Sequence, residues 1–161
     1  MPPHNTAAPL SLSSLTVYAS RIQAEVQFAP DVPRMSSPEL IRQILAKYPH
    51  IADHACVNEY GERFADVMNH TSLAHVLEHM VIDAQVRMTQ QALEQAAQQG
   101  IDVSQHKDTF VGTTEWINKA AGVARVQVSF ADDLVALAAF RQATDFLNDL
   151  LQAETSESAR S

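Results

Sequence analysis

The stretch His75-Val76-Leu77-Glu78-His79 sets two imidazoles four residues apart with a carboxylate immediately before the second, an H-x-x-E-H pattern. On a helix, residues four apart share a face with Cβ atoms about 5–6 Å from one another, so both rings can converge on one zinc ion while Glu78 stands one step back. Zinc lowers the pKa of a coordinated water to about 7, and a carboxylate beside it can take that proton as general base and later pass it to a leaving amine. These residue types at this spacing point to a metal-dependent peptidase or amidase, with His75 and His79 as ligands and Glu78 as catalytic base. The alternative is a helix whose buried histidines and glutamate are hydrogen-bonded structural groups, an arrangement that is costly without partners or a metal.

A tetrahedral catalytic zinc needs a third protein ligand and one open position. The chain has a single cysteine, Cys56, which excludes a disulfide and a Cys-pair zinc site and leaves His and carboxylates as the expected ligands. Among the downstream acids, Glu94 is too far along the same helix to reach. Asp132 and Asp133 stand where a helix needs its cap. Glu115 lies in the middle of a strand beside Trp116, where a carboxylate is unusual, and it is the expected third ligand; the alternative is an edge-strand charge facing water. Asp83, four residues after His79, can accept the other ring proton of His79. His54 can orient Glu78 or a substrate. His54 and Cys56, two apart in an expected loop, can be ligands or a pair that supports the ligands, with the structural role of a small buried hydrophobe favoured for Cys56; His70 reads as a surface residue, His50 and His106 as histidines without a nameable partner, and Arg125 and Arg141 as solvated or paired cations.

The elements that must position these groups follow from periodicity. The helix carrying the motif runs from Thr71 to about Gln98, with Leu73, Leu77, Met80, Val81, Ala84 and Met88 as its apolar stripe and Gly100 as its stop. Ile22, Ala24, Val26 and Phe28 alternate with polar residues as a half-buried strand does, and Leu15 and Val17 alternate in the opposite phase. The change of phase near Ser20 and Arg21 is a hairpin corner or a bulge. Ser37 followed by Pro38 caps a helix that ends by Tyr48, before Pro49. His50 to Met68 reads as loop with a short helix near Glu62 to Val67. Strands are expected at about Thr109 to Ile117 and Val123 to Phe130, joined by a turn at Asn118 to Gly122, and Asp132 caps a last helix through Leu150. Residues 1–14 and 152–161 read as flexible tails around a single domain at 15–151. The expected fold class is α+β: two layers, a small and mostly antiparallel sheet with helices packed on one face.

Composition narrows the function classes. With 161 residues, 11 Lys and Arg, 19 Asp and Glu and a formal charge of −8, the chain is one acidic domain large enough to bury a core without staples. The few basic residues are scattered, which argues against a nucleic-acid partner. The longest apolar run, Leu134 to Phe140, is far too short to span a membrane, and no signal-peptide pattern opens the chain, so a cytoplasmic location is expected.

Two family resemblances attach to these residues. Ser72-Leu73-Ala74-His75-Val76-Leu77-Glu78-His79-Met80 resembles the zinc helix of pitrilysin-type peptidases, over those residues only. A broader similarity, from roughly Tyr48 to Leu151, is to the N-terminal domain of cyanophycin synthetases. There the helix also reads L-x-H-V-x-E-H. Pro49-His50-Ile51-Ala52-Asp53-His54-Ala55-Cys56 resembles a segment ending in E-H-x-C, Gly112-Thr113-Thr114 a Gly-Arg/Lys-Thr-Arg strand, and Val126 to Phe130 the closing strand. Thr113 and Asp53 depart from that pattern, where a basic residue and a Glu are usual. The resemblance implies a metallopeptidase-like site that cuts the aspartate backbone of cyanophycin, a polymer whose side chains bear arginine in isopeptide linkage. Polymer synthesis belongs to ATP-grasp and Mur-ligase-like domains that this chain lacks. With four glycines and no phosphate-cradling loop, no ATP-dependent ligase activity is expected.

Two functional readings remain at this level. The first is a zinc-dependent hydrolase acting on cyanophycin or a related peptide polymer. The second is a non-catalytic module that binds such a polymer or a partner protein. Beside these two stands a third, a helical interaction domain in which the Gln- and Ala-rich stretch Thr89 to Gln99 packs against a second copy of the chain as a homo-oligomer.

Overall fold

The computed structural model describes residues 7–104 and 109–160. Residues 1–6 of the expected leading tail, together with His106, lie outside the described residues. The elements in chain order are β1 (Leu10–Val17), β2 (Arg21–Phe28), α1 (Pro38–Lys47), β3 (Ala55–Asn58), β4 (Gly61–Arg63), α2 (Leu73–Gln98), β5 (Gly112–Asn118), β6 (Val123–Ser129) and α3 (Asp133–Arg160). Four strands form one antiparallel sheet in the order β1-β2-β6-β5, and β3 and β4 form a separate hairpin.

The alternation in β2 sends Ile22, Ala24, Val26 and Phe28 to one face, where Ala124, Val126 and Val128 of β6 join them in the core. α2 lies over β5 and β6, and α3 over β1 and β2, which gives the two layers expected of an α+β fold. The opposite sheet face carries the charged and amide side chains. Of the two devices offered for the change of phase near Ser20 and Arg21, the hairpin corner is present, where Tyr18 N–H donates to the Arg21 carbonyl; the bulge of β1 lies elsewhere, between Leu12 and Ser14.

The helix boundaries follow the local chemistry. Ser37 accepts from Leu40 N–H and Pro38 opens α1. Asp132 accepts from Leu134 N–H at 2.9 Å to begin α3. At the end of α2, Gly100 takes φ +79°, Ile101 N–H bonds to the Ala96 carbonyl and Gly100 N–H to the Ala97 carbonyl. That pairing closes the helix in a left-handed turn that suits glycine.

Three readings from sequence need correction. Residues 10–14 are not tail: β1 starts at Leu10, whose N–H and carbonyl are both bonded by the Asn148 side chain, each at 2.9 Å. The serines between Leu10, Leu12 and Leu15 obscure that strand. The closing tail is helical, since α3 continues through Arg160 beyond Leu151, the last buried residue. Once nucleated on the core, a helix propagates through polar residues without an apolar stripe. Finally, the segment after Pro49 is not a loop. A 3-10 turn at Pro49–Asp53 leads into the β3–β4 hairpin, and the short helix there is one turn at Phe64–Asp66.

Candidate metal centre

The start of α2 is fastened from three sides. Ser72 caps it by accepting from His75 N–H at 3.1 Å, Thr71 N–H donates to Ser36 Oγ, and Leu73 N–H donates to the Arg34 carbonyl. This fixes the rotation of the first two turns, so that His75, Glu78 and His79 look into a cleft of about 800 Å³ between β3 and β5. Glu78 and His79 are 4% and 3% exposed.

Nε2 of His79 lies 3.2 Å from Nε2 of His75, and Sγ of Cys56 lies 3.5 Å from that same His75 nitrogen. Among the described residues, Cys56, His75 and His79 are the group of side chains close enough together to hold a metal ion. Both distances to His75 Nε2 suit a tetrahedral ion: zinc bonds of about 2.0–2.1 Å to nitrogen and about 2.3 Å to sulfur place nitrogen corners about 3.3 Å apart and sulfur–nitrogen corners about 3.6 Å apart. The outer ring nitrogens are also held. Nδ1 of His75 sits 3.0 Å from Thr71 Oγ1 and Nδ1 of His79 sits 3.0 Å from Nδ1 of His54. When each outer nitrogen carries the proton in these contacts, the inner nitrogen presents its lone pair to the cluster. Phe64, wholly buried, stacks on the His79 ring with centroids 4.0 Å apart and meets His75 edge-on. β3 delivers Cys56, and its shape is held by Asn58, which donates to the Cys56 carbonyl at 2.9 Å and accepts from Tyr60 and Gly61.

Electrostatics keep the rings neutral. Burial, then the neighbouring His75 and His54, push the His79 pKa down to about 3; burial also lowers His75, and burial against the opposing pull of Asp83 and Asp53 lowers His54. Neutral imidazoles are the form that binds metals. Burial, opposed by the Asn58 hydrogen bond, raises the Cys56 thiol. Glu78 goes the other way from an ordinary carboxylate: burial raises it to about 7, against the hydrogen bond that Thr114 Oγ1 donates to Oε1 at 2.7 Å. Its second oxygen, Oε2, faces His79 Nε2 at 3.6 Å. A carboxyl that shares its proton near neutrality suits general acid–base work.

The structure brings together His75, His79 and Glu78 as their spacing requires, but not Glu115. Alternation along β5 turns Thr114 and Trp116 to the helix side and Glu115 to the other, where Arg125 on β6 binds it at 2.9 Å. Cys56, rather than Glu115, is the third donor beside His75 and His79, so the donors within reach of one another are not confined to His and carboxylates. Asp83 is not the partner of His79 either. It faces Arg87 at 3.2 Å, one turn further along the helix, and His54 takes the place beside His79. The Thr114 contact, the Phe64 wall and the close approach of Gly112 to Glu78 have no signal in a single sequence.

A family model described as the cyanophycin synthase-like N-terminal domain matches residues 21–152, which includes every residue of this cluster. No curated protein and no solved structure matches the chain.

Proposed function

The chain belongs to the cyanophycin synthase-like N-terminal domain family, and on that premise we propose that it is a zinc-dependent hydrolase that cleaves main-chain amides of cyanophycin or a related peptide polymer. Cys56, His75 and His79 would hold the ion, which when bound supplies Lewis acidity toward a carbonyl and toward water. The Thr114 hydroxyl fixes Glu78 through Oε1 and leaves Oε2 as the atom that receives a proton. Glu78 removes that proton from the attacking water as its oxygen bonds to the carbonyl carbon, then returns it to the nitrogen as the C–N bond breaks. Phe64 walls off one side of the His75 and His79 rings.

The observation that carries this reading is the coincidence, in one cleft, of a Cys-His-His donor set and a buried carboxyl that Thr114 holds beside it. The test is to purify the chain without chelator, measure metal per chain, and follow release of peptides from cyanophycin and from unrelated peptides, with Glu78→Gln as control. Metal binding with hydrolysis that disappears in Glu78→Gln supports it. Metal binding without turnover of any substrate would replace it with a non-catalytic binding module.

A further inference from the structure

The cleft has side chains of α2 on one wall and strand edges on the others. Consecutive residues from Thr109 to Trp116 all line it, and so do Ala55, Cys56 and Val57 in succession. Neighbours in a strand point to opposite faces, so an unbroken run of lining residues means that the main-chain edge itself borders the cavity. β5 is the end strand of the sheet.

The ladder shows which of its groups face away from β6. Ser129 N–H donates to the Val111 carbonyl at 2.8 Å and Val111 N–H to Ser129 Oγ, so residue 111 faces β6. In an antiparallel pair that role alternates, and with Thr113 opposite Gln127 and Glu115 opposite Arg125 the odd positions bond to β6. Gly112 and Thr114 therefore turn their N–H and carbonyl groups to the open side. These are the two residues that touch Glu78: Thr114 through its hydrogen bond, and Gly112 because it has no side chain to displace the carboxyl.

We propose that the open edge of β5 binds the main chain of an extended peptide as an added strand, held by the outward groups of Gly112 and Thr114, so that an amide of that peptide lies over Glu78, His75 and His79. This deepens the hydrolase reading and rests on it for the fate of the bound amide, but not for the binding itself. Recognition through the main chain leaves side chains on alternate sides free, which suits a polymer whose side chains are long and uniform.

The metal-loaded full chain carrying Glu78→Gln, titrated with a short cyanophycin segment, tests this by amide hydrogen exchange, with the fluorescence of Trp116, the chain's one tryptophan, reporting occupancy. In the free protein the amides of Gly112 and Thr114 exchange fast and those of Thr113 and Glu115 slowly; on binding, Gly112 and Thr114 become protected. As a second measurement, analogues of the segment N-methylated at one amide each compete for the wild-type chain, and affinity falls about tenfold at every second position, since each such methyl removes one hydrogen bond. Binding seen by Trp116 without protection of Gly112 and Thr114, loss of affinity without two-residue periodicity, or no binding of the segment would each overturn the proposal. Protected binding without hydrolysis in the wild type overturns only the hydrolase reading, and hydrolysis without protection overturns only the docking edge.

Discussion

Nδ1 of His54 lies 3.0 Å from Nδ1 of His79, so a single proton must sit between two imidazoles that burial keeps neutral. If His79 is the donor, its Nε2 presents a lone pair to His75 and Cys56, and His54 becomes the acceptor that fixes the ring. His54 is thus a positioning residue that reaches the centre through His79. Replacing it with Ala removes the acceptor while leaving the three donors in place. Metal affinity is expected to fall by about 10–100-fold, the usual loss when a ligand's outer hydrogen bond is removed, and a chelator-competition titration measures it. Unchanged affinity would show that the His54 contact has no influence on the centre.

Cys56 and Glu115 separate two accounts of the third ligand. Cys56 lies 3.5 Å from His75 Nε2, whereas Glu115 is bound by Arg125 on the other side of the strand. Cys56→Ala should lower the bound metal from about one ion per chain to a small fraction, because two imidazoles alone make an incomplete tetrahedral set. Glu115→Ala should leave it unchanged and cost little stability, since a partly exposed ion pair contributes under about 1 kcal/mol. Elemental analysis of the two purified variants decides between them.

What the sequence discloses follows the range of its signals. The fixed spacing within α2 discloses His75, Glu78 and His79, because a helix converts sequence distance into geometry without help from the rest of the chain. The strands β2 and β6 and the caps Ser37 and Asp132 are legible for the same reason. Cys56 and His54 are legible only as a pair without a place, since they reach the centre from a short hairpin whose placement over α2 is a tertiary event; Ala55 and Arg63 pair across it, and Phe64 N–H bonds back to the His54 carbonyl. Glu115 misleads by its residue type although the strand's own phase already opposes it. With Trp116 and Thr114 facing α2, the residue between them must face away.

Gly112 is required by contact rather than by backbone angle. A Cβ there would stand 2.8 Å from Glu78 Cγ, closer than real Cβ atoms come, and 3.0 Å from the Gln127 carbonyl oxygen, tighter than most Cβ contacts. Gly112→Ala should therefore push the carboxyl off Thr114 and destabilise the fold by about 1–3 kcal/mol, as overpacking of a filled interior does. Combining it with Glu78→Ala should recover part of that loss, because one of the two clashing groups is then gone. Denaturant titration of the single and double variants gives the coupling; strict additivity would mean that the two residues do not press on one another.

Glu78 also makes a prediction about stability without metal. Its carboxyl titrates at about 7 in the fold against an ordinary 4.5, so between those values the folded chain holds a proton that the unfolded chain has released. Stability from this group is complete below pH 4.5 and is lost as the pH rises to about 7, where the buried carboxylate is charged and poorly solvated. His79 has the opposite sign: its pKa of about 3 lies below the ordinary 6.5, so its contribution is complete above 6.5 and is lost as the pH falls toward 3. His75 and His54, also lowered, act in the same direction as His79. Glu78→Gln removes only the first effect, and a glutamine oxygen can still accept from Thr114. The difference between variant and wild type isolates it: near zero at pH 4, growing through the window, and favouring the variant by up to about 3 kcal/mol above pH 7, because each tenfold change in proton affinity between the folded and unfolded chain is worth about 1.4 kcal/mol. Urea denaturation of both proteins in the presence of chelator at several pH values measures that difference. A gap that is the same at pH 4 and pH 8 would mean that Glu78 is solvated like a surface carboxylate, and with it the case for a proton shared near neutrality would be lost.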